Sequence, residues 1–464
     1  MQSLELEPVA LGGATSAVAA FAAEFAAHDL SEAEETALWR HILDTLGVAV
    51  AGCRSPAAGI AERALPQAPG TSIVPGLPQR YEHLAAAYLF GVAAHSLELD
   101  DGSRAGSVHP GTVVIPAAFA AAGPRTTGAD LMKAVAVGYQ TVVAVAEVLN
   151  PHARGRGFHN TPVAGVLGAT MAAGSLAGLD ADQMQQALGV AASSAAGLFA
   201  FLLGGGEVKR LHAGFAAREG VFAARLAHEG MTGPRAVLEG PDGFFQAFAG
   251  VAPPESFADA FRLPRPAAPL KVTQCYLKPY ACCRHIHPAI DAVIDIVAAE
   301  GLAPERIRRI ACGTYAIAAE HAKAGWDSMA EAQLSYPFSV ATAVRRRGVG
   351  VEDFSPAARS DPQTLALCRK VEVSVDPARQ AAYPGERGAT VTVTTDDGRS
   401  FIRHVAEPSG STRAPLTDAQ VTQKFLGLAA PDLGQARAER VVELVKGLGA
   451  LERLDALFEA LSGD

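Results

Sequence analysis

The chain has 464 residues, 49% of them hydrophobic and 19% charged, with a net charge of −9. That is ample apolar material for a large core, and the length sets a prior of two or three domains. The negative balance and the lack of a long Lys/Arg run exclude general nucleic-acid binding. Six scattered cysteines without a CxxC exclude a disulfide scaffold and an iron–sulfur cluster. The start, Met1 to Glu5, is acidic and has no apolar h-region, so a reducing cytoplasm is the expected compartment.

Residues 1 to about 263 read as helix after helix. Ser31 with Glu34 forms a capping box before a long run ending near Gly52. Further runs fall at 81–99, 111–123, 128–149, 162–177 and 210–229, and Asp180 with Gln183 opens another. The apolar stretch from Leu131 to Val148 is broken by Lys133, Tyr139, Gln140 and Glu147. It is predicted to be a buried helix rather than a membrane span.

The stretch from Pro264 to Leu270 reads as a linker. Short β-like runs follow at Lys271–Tyr276, Ile307–Cys312 and Val371–Val375. Thr390–Thr395, the turn at Asp397-Gly398 and Ser400–Val405 read as a hairpin. Helices at 285–300 and 330–346 interleave. Arg345, Arg346 and Arg347 read as the basic end of the second, stopped by Gly348. From Pro415 the chain is helical again, at 418–428, 433–447 and 450–461. The expected fold is mainly α: an all-helical domain over 1–265, a smaller inserted α+β domain over 266–410, and a helical tail over 411–464 that packs back on the first.

Three histidines stand where a proline opens a helix: His109-Pro110, His159 with Pro162, and His287-Pro288. Helix starts offer free N–H groups and favour anions. Cations lie close to similar starts, so the pattern points to a pocket for a small molecule with several carboxylates. Four segments carry it. In the first, His95, Glu98, Asp100 and Asp101 end a helix and His109 opens the next. A divalent ion on Asp100, Asp101 and His109 is the alternative for this segment; no HExxH or EF-hand spacing supports it, and no metal is expected. The second is Gly155–Pro162, with His159. The third is Gly204–His212, glycine-rich and followed by Lys209, yet not a phosphate-binding loop. The fourth is Lys278–Asp291, with Arg284, His285 and His287. The adjacent Cys282 and Cys283 are poorly placed for a redox pair and read as packing residues. No GxSxG elbow is present, so a covalent serine hydrolase is not supported.

Taken together, HSLELDDGSRAGSVHPGTVVIPAA (95–118), GYQ (138–140), GFHNTPVAGVLGA (157–169), KRLHAGFAAREGVFAARLAHEGMTGPRAVLEG (209–240), KPYACCRHIHPAIDA (278–292) and EAQLSYPFSVATA (331–343) resemble the MmgE/PrpD family. That group includes 2-methylcitrate dehydratase, cis-aconitate decarboxylase and iminodisuccinate epimerase. The resemblance runs over nearly the whole chain. It implies a helical body with an inserted lid domain, a site in the cleft between them, a homodimer and no cofactor. It implies that His109, His159, Lys209 and Lys278 occupy active-site positions, with Glu98, Asp101 and Tyr139 as neighbours. Arg104, His212, Arg284 and His287 are the candidate substrate-binding groups. Position 98 is Glu where many relatives carry Asp, and position 102 is Gly where many carry Thr.

The activity implied is that of a lyase acting next to a carboxylate of a small di- or tricarboxylic acid, dehydratase-like, with an epimerase or decarboxylase of a related acid as the alternative. In this reading His109 moves the proton, oriented by Glu98 or Asp101, and the lysines and helix starts hold an enolate-like anion. No membrane and no nucleic-acid partner are expected. A catalytically silent carboxylate-binding scaffold is the competing reading from another class.

Overall fold

The computed structural model describes residues 13–66, 68–202, 207–263 and 269–463. The chain is mainly helical, with small sheets. It divides into two compact units. The larger comprises residues 1–96, 100–275 and 418–464; the smaller comprises Leu97–Leu99 and Tyr276–Thr417. The bulk of the linker, residues 264–268, and the glycines Gly204, Gly205 and Gly206 lie outside the described residues.

Six helices of the larger unit matter for the site: α1 (Glu32–Gly52), α2 (His83–Ala94), α3 (Gly111–Ala121), α4 (Gly128–Leu149), α5 (Asn160–Leu176) and α6 (Val208–His228). Ser31 and Glu34 cap α1 reciprocally, as Thr127 and Asp130 cap α4 and Asp180 and Gln183 cap the helix Ala181–Ala192. The run expected over 81–99 stops at Ala94, and residues 95–101 are irregular. Polar residues in that segment turn their side chains on one another rather than extend the helix.

Small residues let these helices approach closely. A Cβ on Gly168 of α5 would lie 2.1 Å from the Val142 side chain and 2.7 Å from the Gly138 carbonyl of α4. A Cβ on Gly91 of α2 would meet the Gly214 backbone of α6 at 2.8 Å. The abundance of alanine and glycine is therefore a packing requirement. Helix α4 is long and apolar enough to cross a membrane, and it is a core helix here, with Tyr139 fully buried. The tail helix Asp418–Leu433 lies along α1. Lys424 Nζ bonds Asp44 Oδ1 at 2.6 Å, and Phe425 packs over Gly47.

In the smaller unit a four-stranded sheet is built from β1 (Ile307–Thr314), β2 (Val371–Val375), β3 (Ala389–Thr395) and β4 (Ser400–Val405), in the order β2-β1-β3-β4. The β1–β2 pair is parallel; the others are antiparallel, with Thr394 opposite Ser400 at the hairpin. Gly398 there takes φ +86°, a conformation glycine adopts freely. Ala389, Val391, Val393 and Thr395 point to the buried face, against which α7 (His287–Ala299) packs Ile290, Val293 and Val297. Two expectations are corrected. Lys271–Tyr276 is a 3-10 turn over Lys271–Gln274, with strand only at Cys275–Tyr276. The single helix expected at 330–346 is two, Met329–Gln333 and Tyr336–Arg346, because Pro337 fits only a first turn and Ser335 caps it.

Candidate functional site

Helix starts place the larger unit's imidazoles. His159 is the N-cap of α5, and His109 lies one residue before the cap of α3. Lys209 and His212 lie in the first turns of α6, and His95 directly follows α2. These residues converge. The His95 ring lies 5.3 Å from that of His109 and stacks on that of His159 at 5.9 Å, centroid to centroid. His159 Nδ1 is 3.0 Å from His212 Nδ1. Phe199 and Phe201 close over the His159 ring edge-on, both at 5.4 Å.

Two aspartates set the orientation. Asp100 Oδ2 lies 2.9 Å from His95 Nδ1 and 3.0 Å from His109 Nδ1. The Asp101 carbonyl also accepts from His109 Nδ1, at 2.6 Å. A carbonyl only accepts, so Nδ1 of His109 carries a proton. The His109 backbone N–H donates to Thr161 Oγ1 at 3.2 Å, tying the ring's base to the start of α5.

The Asp101 carboxylate is committed elsewhere. It is fully buried and accepts from His41 Nδ1 (2.9 Å), the Tyr139 hydroxyl (2.8 Å) and the Gly111 N–H (3.0 Å). Three helices thus meet on one side chain. Tyr139 is a donor to a carboxylate, and burial together with Asp101 raises its hydroxyl far above the ordinary range. Gly111 is required here: a Cβ would lie 2.6 Å from both Thr45 Oγ1 and the Tyr139 hydroxyl.

Electrostatics keep three of these imidazoles neutral. Burial pushes His95 down to about 4, with Asp100 opposing and Lys209 and His109 reinforcing. Burial, then His95, Lys209, His212 and His109, hold His159 well below its ordinary value. Burial, His95 and Lys209 bring His212 to about 4. Lys209, half-buried, acts on all three rings, so an anion entering here would find a cation and oriented neutral imidazoles. His95 Nε2 is buried and has no hydrogen-bond partner among the described residues.

The smaller unit holds Glu98 and Lys278. Lys278 is buried, and its Nζ donates to the Glu98 carbonyl at 3.1 Å and lies 3.7 Å from the Glu98 carboxylate. Glu98 adopts φ +53°, a left-handed conformation uncommon for a side-chain-bearing residue. The carboxylate beside His109 is therefore that of Asp100, while the Glu98 carboxylate lies beside Lys278. Arg284 and His287 serve the local structure. Arg284 donates to the carbonyls of Ser409 (2.8 Å) and Pro408 (3.3 Å) and reaches His287 Nδ1 at 2.9 Å. His287 Nε2 lies 3.2 Å from the Cys282 carbonyl, so both its ring nitrogens are engaged. Arg104 is half-buried in the loop before His109. Among the described residues, no group of three or more His, Cys, Asp or Glu side chains is arranged to hold a metal ion.

Sequence reasoning missed His41 and Asp44. Each lies on the apolar helix α1 with no local motif, and only long-range packing pairs them with Asp101 and Lys424.

Comparison with known proteins agrees with this arrangement of segments. The MmgE/PrpD N-terminal domain profile matches residues 16–256, and the C-terminal domain profile matches 280–448. Cis-aconitate decarboxylase of Aspergillus terreus is 27% identical, over 98% of this chain and 96% of its own. The cis-aconitate decarboxylase-like protein oryM of Aspergillus oryzae is 28% identical, over 91% and 92%. Human cis-aconitate decarboxylase is 28% identical, over 91% and 89%. With the first profile alone spanning more than half of the 464 residues, the chain belongs to the MmgE/PrpD family.

Proposed function

We propose that this protein is a cofactor-independent lyase acting next to a carboxylate of a small di- or tricarboxylic acid, with an unsaturated tricarboxylate such as cis-aconitate as the first substrate to test. The observation that carries the reading is the cluster of His95, His159 and His212, held neutral by burial, with His109 and Lys209 beside it. Family membership and the names of the decarboxylase relatives support it.

The chemistry follows from the charges. When a C–C bond to a carboxylate breaks, CO₂ leaves and the electron pair stays on carbon, delocalised through the alkene toward a remaining carboxylate. Lys209 and the N–H groups at the starts of α5 and α6 meet that charge, each well-placed donor contributing on the order of 3 kcal/mol. The carbon is then protonated: an imidazole takes up a proton from solvent at its free nitrogen and delivers it to carbon. His109 is assigned this transfer through Nε2, because its Nδ1–H is fixed by the Asp101 carbonyl and Asp100. His159 orients a carboxylate. Dehydration uses the same groups in the other sense: the base takes an α-proton, an enolate forms, and the β-hydroxyl leaves with a proton. This hydro-lyase route is the second reading. Glu98 and Gly102, which stand where many relatives carry Asp and Thr, belong to the segment that would set the choice.

The test is a turnover screen of cis-aconitate, citrate, 2-methylcitrate and iminodisuccinate in deuterated water, read by NMR. Loss of CO₂ with one deuterium placed on carbon supports the first reading. Loss of water to give an alkene supports the second. Proton exchange without loss of either would make the protein an epimerase. No turnover of any acid would refute the lyase assignment.

A further inference from the structure

The smaller unit carries a second group of titratable side chains that plays no part in the chemistry above. Cys283 Sγ lies 3.6 Å from His321 Nε2. The Leu334 backbone also favours the charged form of His321. His285 stacks on His321, ring centroids 6.0 Å apart and planes 22° apart, and its own Nδ1 meets the Tyr315 hydroxyl. A sulfur within reach of an imidazole, with the imidazole oriented by a third group, is the arrangement that activates a cysteine nucleophile.

The backbone adds to it. Cys283 is the N-cap of the 3-10 turn Arg284–Ile286, which runs straight into α7. The His285 N–H is among the groups that favour the thiolate of Cys283. Burial pushes the Cys283 thiol up, but His321 and the His285 N–H outweigh it and leave the group below its ordinary value. The sulfur in turn raises His321 against the opposing effect of burial. The charged or titratable groups facing the pair are Glu98, Cys282, Glu320 and His285, and behind His285 stand Arg387 and Lys278. The other five cysteines behave oppositely. Burial pushes Cys53, Cys312 and Cys368 up to about 12 and raises Cys275 and Cys282 strongly.

We propose that Cys283 and His321 form a thiolate–imidazolium pair and that Cys283 is a covalent modification site for soft carbon electrophiles. The sulfur electron pair attacks the electrophilic carbon and an S–C bond forms. With iodoacetamide the C–I bond breaks and iodide leaves with its electrons. The thiol proton already resides on His321, so the step needs no oxidant and no further base. This inference does not depend on the lyase reading, and it replaces the expectation that Cys283 is a packing residue only.

The test is alkylation of the intact chain with iodoacetamide between about pH 6 and pH 9, each cysteine followed by peptide mass spectrometry. Cys283 is expected to react at least about tenfold faster at pH 7 than any of the other five, and faster than free glutathione, since one unit of pKa is a tenfold change in thiolate. Its rate should hold up below pH 7.5. His321→Gln is expected to cut the rate at pH 7 about tenfold and move the rise to higher pH. The wild-type profile alone is decisive if that variant folds poorly. A Cys283 rate no greater than that of glutathione at pH 7, or a profile unmoved in a folded His321→Gln variant, would overturn the proposal.

Discussion

Asp101 holds three donors from three helices: His41 of α1, Tyr139 of α4 and the Gly111 N–H of α3. Its removal strands all three in the interior. Asp101→Ala is expected to destabilise the fold by about 3 kcal/mol or more, measured by urea unfolding. Tyr139 is the milder case. Its hydroxyl is a donor to Asp101 and far from ionising, so Tyr139→Phe is expected to cost about 1 kcal/mol of stability while turnover stays within about tenfold of wild type. A loss of turnover beyond a hundredfold would instead place Tyr139 in the proton transfer itself. These two residues also mark how much the sequence discloses. Asp101 and Tyr139 stood out because their segments match a family pattern. His41 did not, since a lone histidine on an apolar helix carries no local sign that its partner lies 60 residues away.

Close helix crossings position the cluster. Gly91 of α2 and Gly214 of α6 meet backbone to backbone, and a Cβ on Gly214 would lie 2.5 Å from the Tyr88 carbonyl. His95 follows the first of these helices, and Lys209 and His212 begin the second. Gly214→Ala is therefore expected to spread the crossing, costing on the order of 2 kcal/mol and lowering turnover along with stability. Unchanged thermal stability in that variant would mean the helices have slack. At this scale the sequence was informative wherever local chemistry decides: the capping boxes at Ser31 and Asp180, the prolines at helix starts, and the alternation of Ala389–Thr395. It failed where tertiary packing decides. The β-branched and aromatic residues of Lys271–Tyr276 suggested a strand, yet Lys271 is drawn to Glu147 and Gln140 of α4 and most of the segment folds as a 3-10 turn.

For the whole molecule, burying several neutral histidines makes stability depend on pH. His95, His159 and His212 all have lower pKa values folded than unfolded, so the unfolded chain takes up protons first as pH falls. Their contribution is full above about pH 6.5 and is lost toward pH 4, on the order of 3 kcal/mol for His95 alone. Thermal unfolding midpoints should therefore drop steadily between about pH 6.5 and pH 4.5, and a flat profile over that range would contradict the neutral cluster. The central claim is that this cluster, with Lys209, handles the proton and the charge of a carboxylate-adjacent lyase reaction. Its most direct test is the rate of the His109→Ala and Lys209→Ala variants on whichever acid the wild type turns over, with circular dichroism confirming the fold. Both rates are expected to fall by at least about a hundredfold in folded protein; near-normal rates in both variants would contradict that role.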